Sequence, residues 1–467
     1  MQQSPTDTKP SPRPSSPGSK LRQPVTVPGH VDEFENLRAG PSSSGYRETE
    51  AGPDDPTPVD KPKFTVASQL RATILNSWIN VLILAAPAGI TLHLVKANPI
   101  VVFVVNFIAI IPLAAMLSYA TEEIALRTGE VIGGLLNASF GNAVELIVAI
   151  IALVKKEVLI VQTSLIGSML SNLLLVLGMC FFFGGIDRVE QHFNVTVAQT
   201  SASLLAVAVG SLIIPTAFDK FNIAAAVGST ASVSRGTSIL LLVTYGCYLF
   251  FQLKSHAELY TRPSPKAAKR YHTLRTGDVK RELARIAKVS AGSMGGNARP
   301  VQMQDPVDVS EQPQLTVLVA LITLGVSTVL VAVCAEFMVN SIDALTATGK
   351  IGKTFVGLIL LPIVGNAAEH ATAVTVACKD KMDLAIGVAV GSSMQIALLV
   401  LPLIVLVGWM MGVEDMTLSF GGFQLIVLVV AVVIVNYLIL DGKSHWFEGT
   451  MLMVVYLVIA MSTWYID

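Results

Sequence analysis

The sequence predicts an all-α polytopic membrane protein of about eleven transmembrane helices: one N-terminal helix followed by two inverted five-helix repeats. Three observations predict it. Apolar runs of membrane-crossing length recur along the chain, a basic polar stretch divides them, and one short carboxylate-bearing motif occurs on both sides of that divide.

The apolar runs show first in the composition. The chain is 52% hydrophobic and only 14% charged, with mean hydropathy +0.63, whereas soluble domains carry about 25% charge. Much of the surface is therefore expected to face a lipid bilayer. With 32 basic and 33 acidic residues there is no bias toward nucleic acid, and none is expected as a partner. Cys180, Cys247, Cys334 and Cys378 all fall inside apolar runs, which is neither a disulfide framework nor a zinc-ligand spacing. No secretory signal opens the sequence, since the first apolar run begins near Ile74, so an internal span is expected to direct insertion.

In chain order, residues 1–70 hold 12 of the 23 prolines and no apolar period, and are expected to be a disordered cytoplasmic tail. Residues 71–97 are expected to form the N-terminal span and 98–254 the first five-helix repeat. A bilayer core needs about 20 apolar residues per helix. The runs that meet this up to the divide are Ile74–Val95, Ile100–Tyr119, Val131–Leu153, Val158–Phe183, Val197–Ile214 and Ser238–Leu253. The stretch 255–313 is expected to be a loop. From Lys254 to Arg299 it carries eleven Lys or Arg against three acids, which places it and the N-terminus in the cytoplasm by the positive-inside rule. Residues 314–467 form the second repeat, with runs Leu315–Ile342, Thr354–Ala377, Leu384–Trp409, Phe423–Leu440 and Met451–Tyr465. The sequon at Asn194 then falls in a cytoplasmic loop and is not expected to be glycosylated. Asp441, Lys443, His445 and Glu448 are expected in a solvated loop.

The repeat rests on two paired motifs. Gly141-Asn142-Ala143-Val144-Glu145 matches Gly365-Asn366-Ala367-Ala368-Glu369, and Gly167-Ser168 matches Gly391-Ser392. The distance from Glu145 to Ser168 is 23 residues, and from Glu369 to Ser392 it is again 23. Because five spans is an odd number, the second half enters the membrane from the opposite side. Inverted repeats of this kind place an ion site near the midplane where the halves meet.

A charge at the bilayer centre costs about 2.5–3.5 kcal/mol on insertion scales, which marks Glu145 and Glu369 as functional. Asn142 and Glu145 are three apart and share a helix face, as do Asn366 and Glu369. Two carboxylates and two amides converging make an oxygen-rich site suited to a hard cation, which takes six to eight oxygens. Ser168, Ser392 and Gln395 are further candidate ligands. Glycines before each Asn, and Pro362, leave room for local irregularity of the backbone. Two ionised glutamates repel one another, and either a divalent cation or protons relieve that repulsion, but not both together. Such exclusive occupancy is what exchange requires. Glu122, Glu336 and His370 are candidates to relay protons or line an access path.

The run from Gly133 to Ile147 closely resembles the first signature repeat of the cation/proton exchangers called CAX, and Gly365–His370 resembles their second. The likeness runs from about Arg71 to the C-terminus, interrupted by the loop; the long first half and Asp441-Gly442-Lys443-Ser444 are similar to the fungal vacuolar members. The resemblance implies the calcium/cation antiporter fold and uptake of Ca²⁺ into an acidic vacuole, driven by protons. It also implies Glu145 and Glu369 as the central cation and proton sites, with Asn142 and Asn366 beside them. No cofactor is expected beyond the transported ions Ca²⁺ and H⁺. Many relatives carry an acidic stretch in the central loop; here that loop is basic, with Asp305, Asp308 and Glu311 only near its end.

Two other readings stand beside this one. A Na⁺/Ca²⁺ exchanger of the same fold usually carries a Ser and a Pro within the motif; this chain has Ala there, followed by Val144 or Ala368. A divalent-cation channel would build its filter from rings of subunits, not from one carboxylate pair in a two-fold repeat. An enzyme is not expected, for want of a nucleotide motif or a nucleophile–base set. Oxygen ligands also suit Mn²⁺. Exchange stoichiometry and oligomeric state are not legible in the sequence.

Overall fold

The structure is a computed structural model that describes residues 65–75, 78–128, 130–221, 229–261, 266, 313–347 and 349–466. Most of the expected N-terminal tail and basic loop lie outside the described residues.

The described residues are mostly helical, and each apolar run coincides with a helix or a helix pair. Helix α1 (Val66–Leu75) starts earlier than the expected end of the tail at residue 70. The reason is a reciprocal cap: Ser68 N–H donates to Thr65 Oγ1 at 3.2 Å, and Thr65 N–H donates to Ser68 Oγ at 3.1 Å. A 3₁₀ stretch (Trp78–Leu84) leads into α2 (Ala85–Leu94), then α3 (Pro99–Thr128). The run expected as one span over 131–153 is broken into α4 (Glu130–Phe140) and α5 (Ala143–Val154). The first half ends with α6 (Val158–Gly185), α7 (Val195–Phe221), α8 (Ser229–Ser255) and the short α9 (Ala257–Thr261). The second half comprises α10 (Val317–Thr346), α11 (Lys353–Gly365), α12 (Ala367–Cys378), α13 (Met382–Met410), α14 (Gly422–Leu438) and α15 (Trp446–Trp464). Among the described residues, seven helices are long and apolar enough to cross a membrane, or up to nine if each bent pair is one span. Two more, α5 and α14, are apolar but shorter.

The repeat is visible in the backbone. Ala143–Val154 and Ala367–Cys378 are both 12 residues long and lie 224 positions apart, as Asn142 and Asn366 do. Both helices stop at a residue with left-handed φ at the same offset, Lys156 and Asp380, each at +61°. Their directions are opposed. The end of α5 meets the start of α11, where Lys353 Nζ lies 3.1 Å from Glu157 Oε2 and Lys155 Nζ lies 3.3 Å from Glu336 Oε1. The end of α12 meets the far end of α6, where Arg188 Nε stands 3.5 Å from Asp380 Oδ1. The two halves are thus inverted.

Each end of the bundle is tied by polar contacts. At the Arg188 end, Gln191–His192 (β1) and Lys443–Ser444 (β2) pair as a two-stranded antiparallel ribbon that links two interhelical loops. Asn194 sits here. Its amide side chain donates to Leu259 O at 3.0 Å, and its carbonyl oxygen accepts from Val197 N–H. His445 and Glu448, expected in a solvated loop, instead form a capping box that starts α15. At the Lys353 end, Lys353 also pairs with Asp343 at 2.6 Å. Arg235 pairs with Glu414 and stacks over Trp409, 4.8 Å from the ring centroid. Exposed Val207, Ile214, Leu240, Val243 and Val433 stud the outer face, as a lipid-facing surface requires.

The two halves cross at close range between α6 and α11. A β-carbon on Gly167 would stand 2.2 Å from Leu358 O, and one on Gly357 would stand 1.9 Å from Thr163 Oγ1. Only glycine permits this approach. Among the described residues, four short π-type turns interrupt the helices, including Ser171–Val176 in α6, Val356–Leu360 in α11 and Ile396–Val400 in α13. Such turns gather at functional sites because they shift backbone carbonyls out of the regular ladder.

Candidate ion-binding site

Both motifs break a helix at their Asn. Asn142 (φ −102°, ψ 25°) and Asn366 (φ −94°, ψ 4°) leave the α region and precede α5 and α12. At Asn366 the chain bends by 57°. Neither side chain caps its own helix, so both amides are released toward the interior. Glu145 and Glu369 follow in the first turns of α5 and α12.

The polar side chains meet across the repeat. Asn142 Nδ2 donates to Gln395 Oε1 at 2.7 Å, and Ser392 Oγ donates to Asn142 Oδ1 at 2.7 Å. Asn172 Nδ2 donates to Ser392 Oγ at 3.1 Å. Glu369 lies within hydrogen-bonding range of the Ser392 hydroxyl and feels the charge of Glu145. Gly365, from the second motif, lies against the first: a β-carbon there would be 3.3 Å from Glu145 Oε1. The structure thus brings together Asn142, Glu145, Glu369, Ser392, Gln395 and the Asn366 turn.

The two halves use their matching residues differently. Asn142 is fully engaged, while Asn366, 0% exposed, has no hydrogen-bond partner at either Nδ2 or Oδ1. Glu145 Oε1 and Glu369 Oε2 are also buried without a hydrogen-bond partner. Leaving such groups unmatched costs about 1–3 kcal/mol each, more when charged. Unpartnered oxygens on two carboxylates and an amide are of the chemical type that a hard cation takes as ligands. Ser168 does not join the Asn142–Gln395 network; it lines a cavity of about 20 Å³ together with Glu145, Ser164 and Gly365, room for one water-sized body.

The remaining candidates fall elsewhere. His370 lies beside the site, its Nε2 3.3 Å from Ser171 Oγ. Glu336 is exposed at the Lys353 end, paired with Lys155. Glu122 is exposed on α3, and its neighbour Glu123 is the buried one. The Glu123 carboxylate accepts from Gln314 N–H at 3.0 Å and from Leu315 N–H at 2.9 Å, fixing the segment that leads into α10. Asn172 was not foreseen, although it follows Ser168 by four residues on the same helix and so shares its face.

Two opposed copies of one helical unit, with broken helices and paired carboxylates at the crossing, define a secondary transporter. The chain belongs to the family described as sodium/calcium exchanger protein, which matches residues 98–254 and 319–465. It is 43% identical to a vacuolar calcium ion transporter of Cryptococcus neoformans, over 86% of this chain and 76% of that one. It is 39% identical to a Ca²⁺/H⁺ antiporter of Aphanothece halophytica, over 82% of this chain and 94% of that one. Among solved structures it is similar to native YfkE, with TM-score 0.65, 32% identity, and 83% of this chain and 99% of that chain covered.

Proposed function

We propose that this chain is an antiporter that exchanges Ca²⁺ for protons by alternating access and loads Ca²⁺ into an acidic vacuole. The observation that carries the reading is the pair Glu145 and Glu369, one from each inverted half: Glu145 is buried and Glu369 half-buried, each has an interior oxygen without a hydrogen-bond partner, and each lies within the field of the other. Ca²⁺ bound between them neutralises both carboxylates. Protons do the same by converting each to a neutral acid, and the two modes exclude one another. Asn142, Ser392 and Gln395 hold the first motif against the second half; Asn366 and Ser168 offer further oxygens. The relatives named for vacuolar calcium transport and for Ca²⁺/H⁺ antiport support the choice of ions and membrane. Mn²⁺ fits the same oxygen set.

In this reading the Arg188 end faces the cytoplasm, with the basic loop and the N-terminus, and the Lys353 end faces the vacuolar lumen. The boundaries 71–97, 98–254, 255–313 and 314–467 divide the chain into a first helix, a repeat, a loop and a repeat. Helices α4 with α5, and α11 with α12, each count as one span, which together with α1–α2 gives eleven. Glu336 lies at the mouth of the lumenal approach.

The test is ⁴⁵Ca²⁺ uptake into proteoliposomes with an acidic interior, competed by Mn²⁺ and Na⁺. Uptake that collapses with the pH gradient and ignores a Na⁺ gradient supports the reading. Uptake driven by Na⁺ in place of protons overturns it.

A further inference from the structure

The cavity beside Glu145 is one-sided. Its walls include Val148 of α5, Ser164 of α6, Leu361 of α11 and Met338 of α10. Helix α5 runs from Glu145 through Val148 to the Lys155 end. Helix α6 starts at that end and reaches Ser164 one turn before Ser168. Helix α11 also starts there and reaches Leu361 one turn before Gly365. Each of these residues therefore lies one turn from the site toward the end where Lys155 pairs with Glu336 and Lys353 with Glu157. Along this side the hydroxyl of Ser164 is the polar group that follows Glu145 and Ser168; Val148, Leu361 and Met338 are apolar.

Ser164 is 8% exposed and donates its proton to Val161 O at 3.1 Å. A hydroxyl with its proton so committed turns its lone pairs outward, as an acceptor a cation can use. At the matching position of the second half, 224 residues on, stands Val388. The hydroxyl thus marks only one of the two approaches. From the cavity, the unpartnered Glu145 Oε1 and this asymmetry, we infer that Ser164 contacts the cation on its way between Glu145 and the Lys155–Glu336 end. There it replaces one oxygen of the hydration shell before the carboxylate engages. The inference rests on the exchange reading above for the identity of the ion, but not for the location of the path.

Two measurements test it. Ser164→Cys is treated with a membrane-impermeant methanethiosulfonate from either face, with the unsubstituted protein as background for its own cysteines. Modification from the Lys155–Glu336 face alone, slowed by Ca²⁺, is expected. In parallel, Ser164→Ala is expected to raise the KM for Ca²⁺ presented from that face about three- to tenfold, the loss of one neutral oxygen contact. The KM from the other face should be unchanged, and Ser164→Thr, which keeps the hydroxyl, should restore the value. Modification from the opposite face, no modification, no Ca²⁺ protection, or an unchanged KM in Ser164→Ala each overturns the inference. Failure of pH-gradient-driven uptake in the unsubstituted protein would instead sink the exchange reading, while one-sided modification would still locate the path.

Discussion

Ser392 donates a hydrogen bond of 2.7 Å to Asn142, so that a serine of the second half holds the asparagine of the first-half motif. The same serine accepts from Asn172 and neighbours Glu369. Removing its hydroxyl leaves Asn142 and Asn172 each short of a partner within a buried network, at about 1–3 kcal/mol. Ser392→Ala is expected to insert and fold but to bind Ca²⁺ at least fivefold more weakly, read as KM in vesicle uptake.

Glu145→Gln and Glu369→Gln each keep the shape and remove one charge. A single carboxylate cannot neutralise a divalent cation, and a glutamine cannot carry the counter-transported proton. Both variants are expected to abolish transport while reaching the membrane in normal amounts. Near-normal Ca²⁺ uptake by either one would remove the central claim.

Proton and cation compete for the same oxygens, and this fixes the sign of the pH dependence. Lowering the pH on the face that presents Ca²⁺ is expected to raise the KM for Ca²⁺, with maximal rate recovered at saturating Ca²⁺. Initial rates across a pH series at fixed opposite-side pH give the comparison. A KM that falls on acidification contradicts competition.

Gly365 touches Glu145, and an added β-carbon would stand 3.3 Å from Oε1. The position is tight but not closed, so the carboxylate must shift by tenths of an ångström. Gly365→Ala is expected to preserve thermal stability in detergent and to lower Ca²⁺ affinity severalfold. By contrast, Gly167→Ala meets Leu358 O at 2.2 Å and is expected to lower stability itself. Thermal unfolding of the two variants separates the cases.

Arg188 is buried, donating to Gly184 O at 2.9 Å and Cys378 O at 3.2 Å while facing Asp380. Breaking a buried ion pair by removing one partner costs about 3–5 kcal/mol. Arg188→Ala is expected to lower the unfolding temperature markedly, with Ca²⁺ affinity of the surviving protein unchanged.

The sequence carried the repeat because its signal is discrete: two motifs at one spacing, with carboxylates where apolar residues belong. Helix positions were legible for the same reason, since twenty apolar residues have few other uses. What the two halves do differently was not legible. Asn142 and Asn366 read as equals, yet only Asn142 finds partners, because those partners come from helices far away in sequence. Glu122 read as a candidate while its neighbour Glu123 drew no attention, yet about 100° of helix rotation separates the two and it is Glu123 that is buried. His445 and Glu448 read as loop because a cap shows only once the helix start is known.

The helix starts at Ala143 and Ala367 lie inside the membrane, and they carry a consequence for release. Each helix presents about half a positive charge at its N-terminus. Glu145 and Glu369 sit in those first turns, so two such ends face the site together. Helices α4 and α11 end at the same two breaks, so their C-terminal carbonyls set about half a negative charge beside each positive end. With Ca²⁺ in place the two carboxylates balance the ion, and the paired helix ends add no net charge that would either trap it or expel it. Occupancy is then decided by the carboxylates alone, and a change of their protonation is enough to tip it.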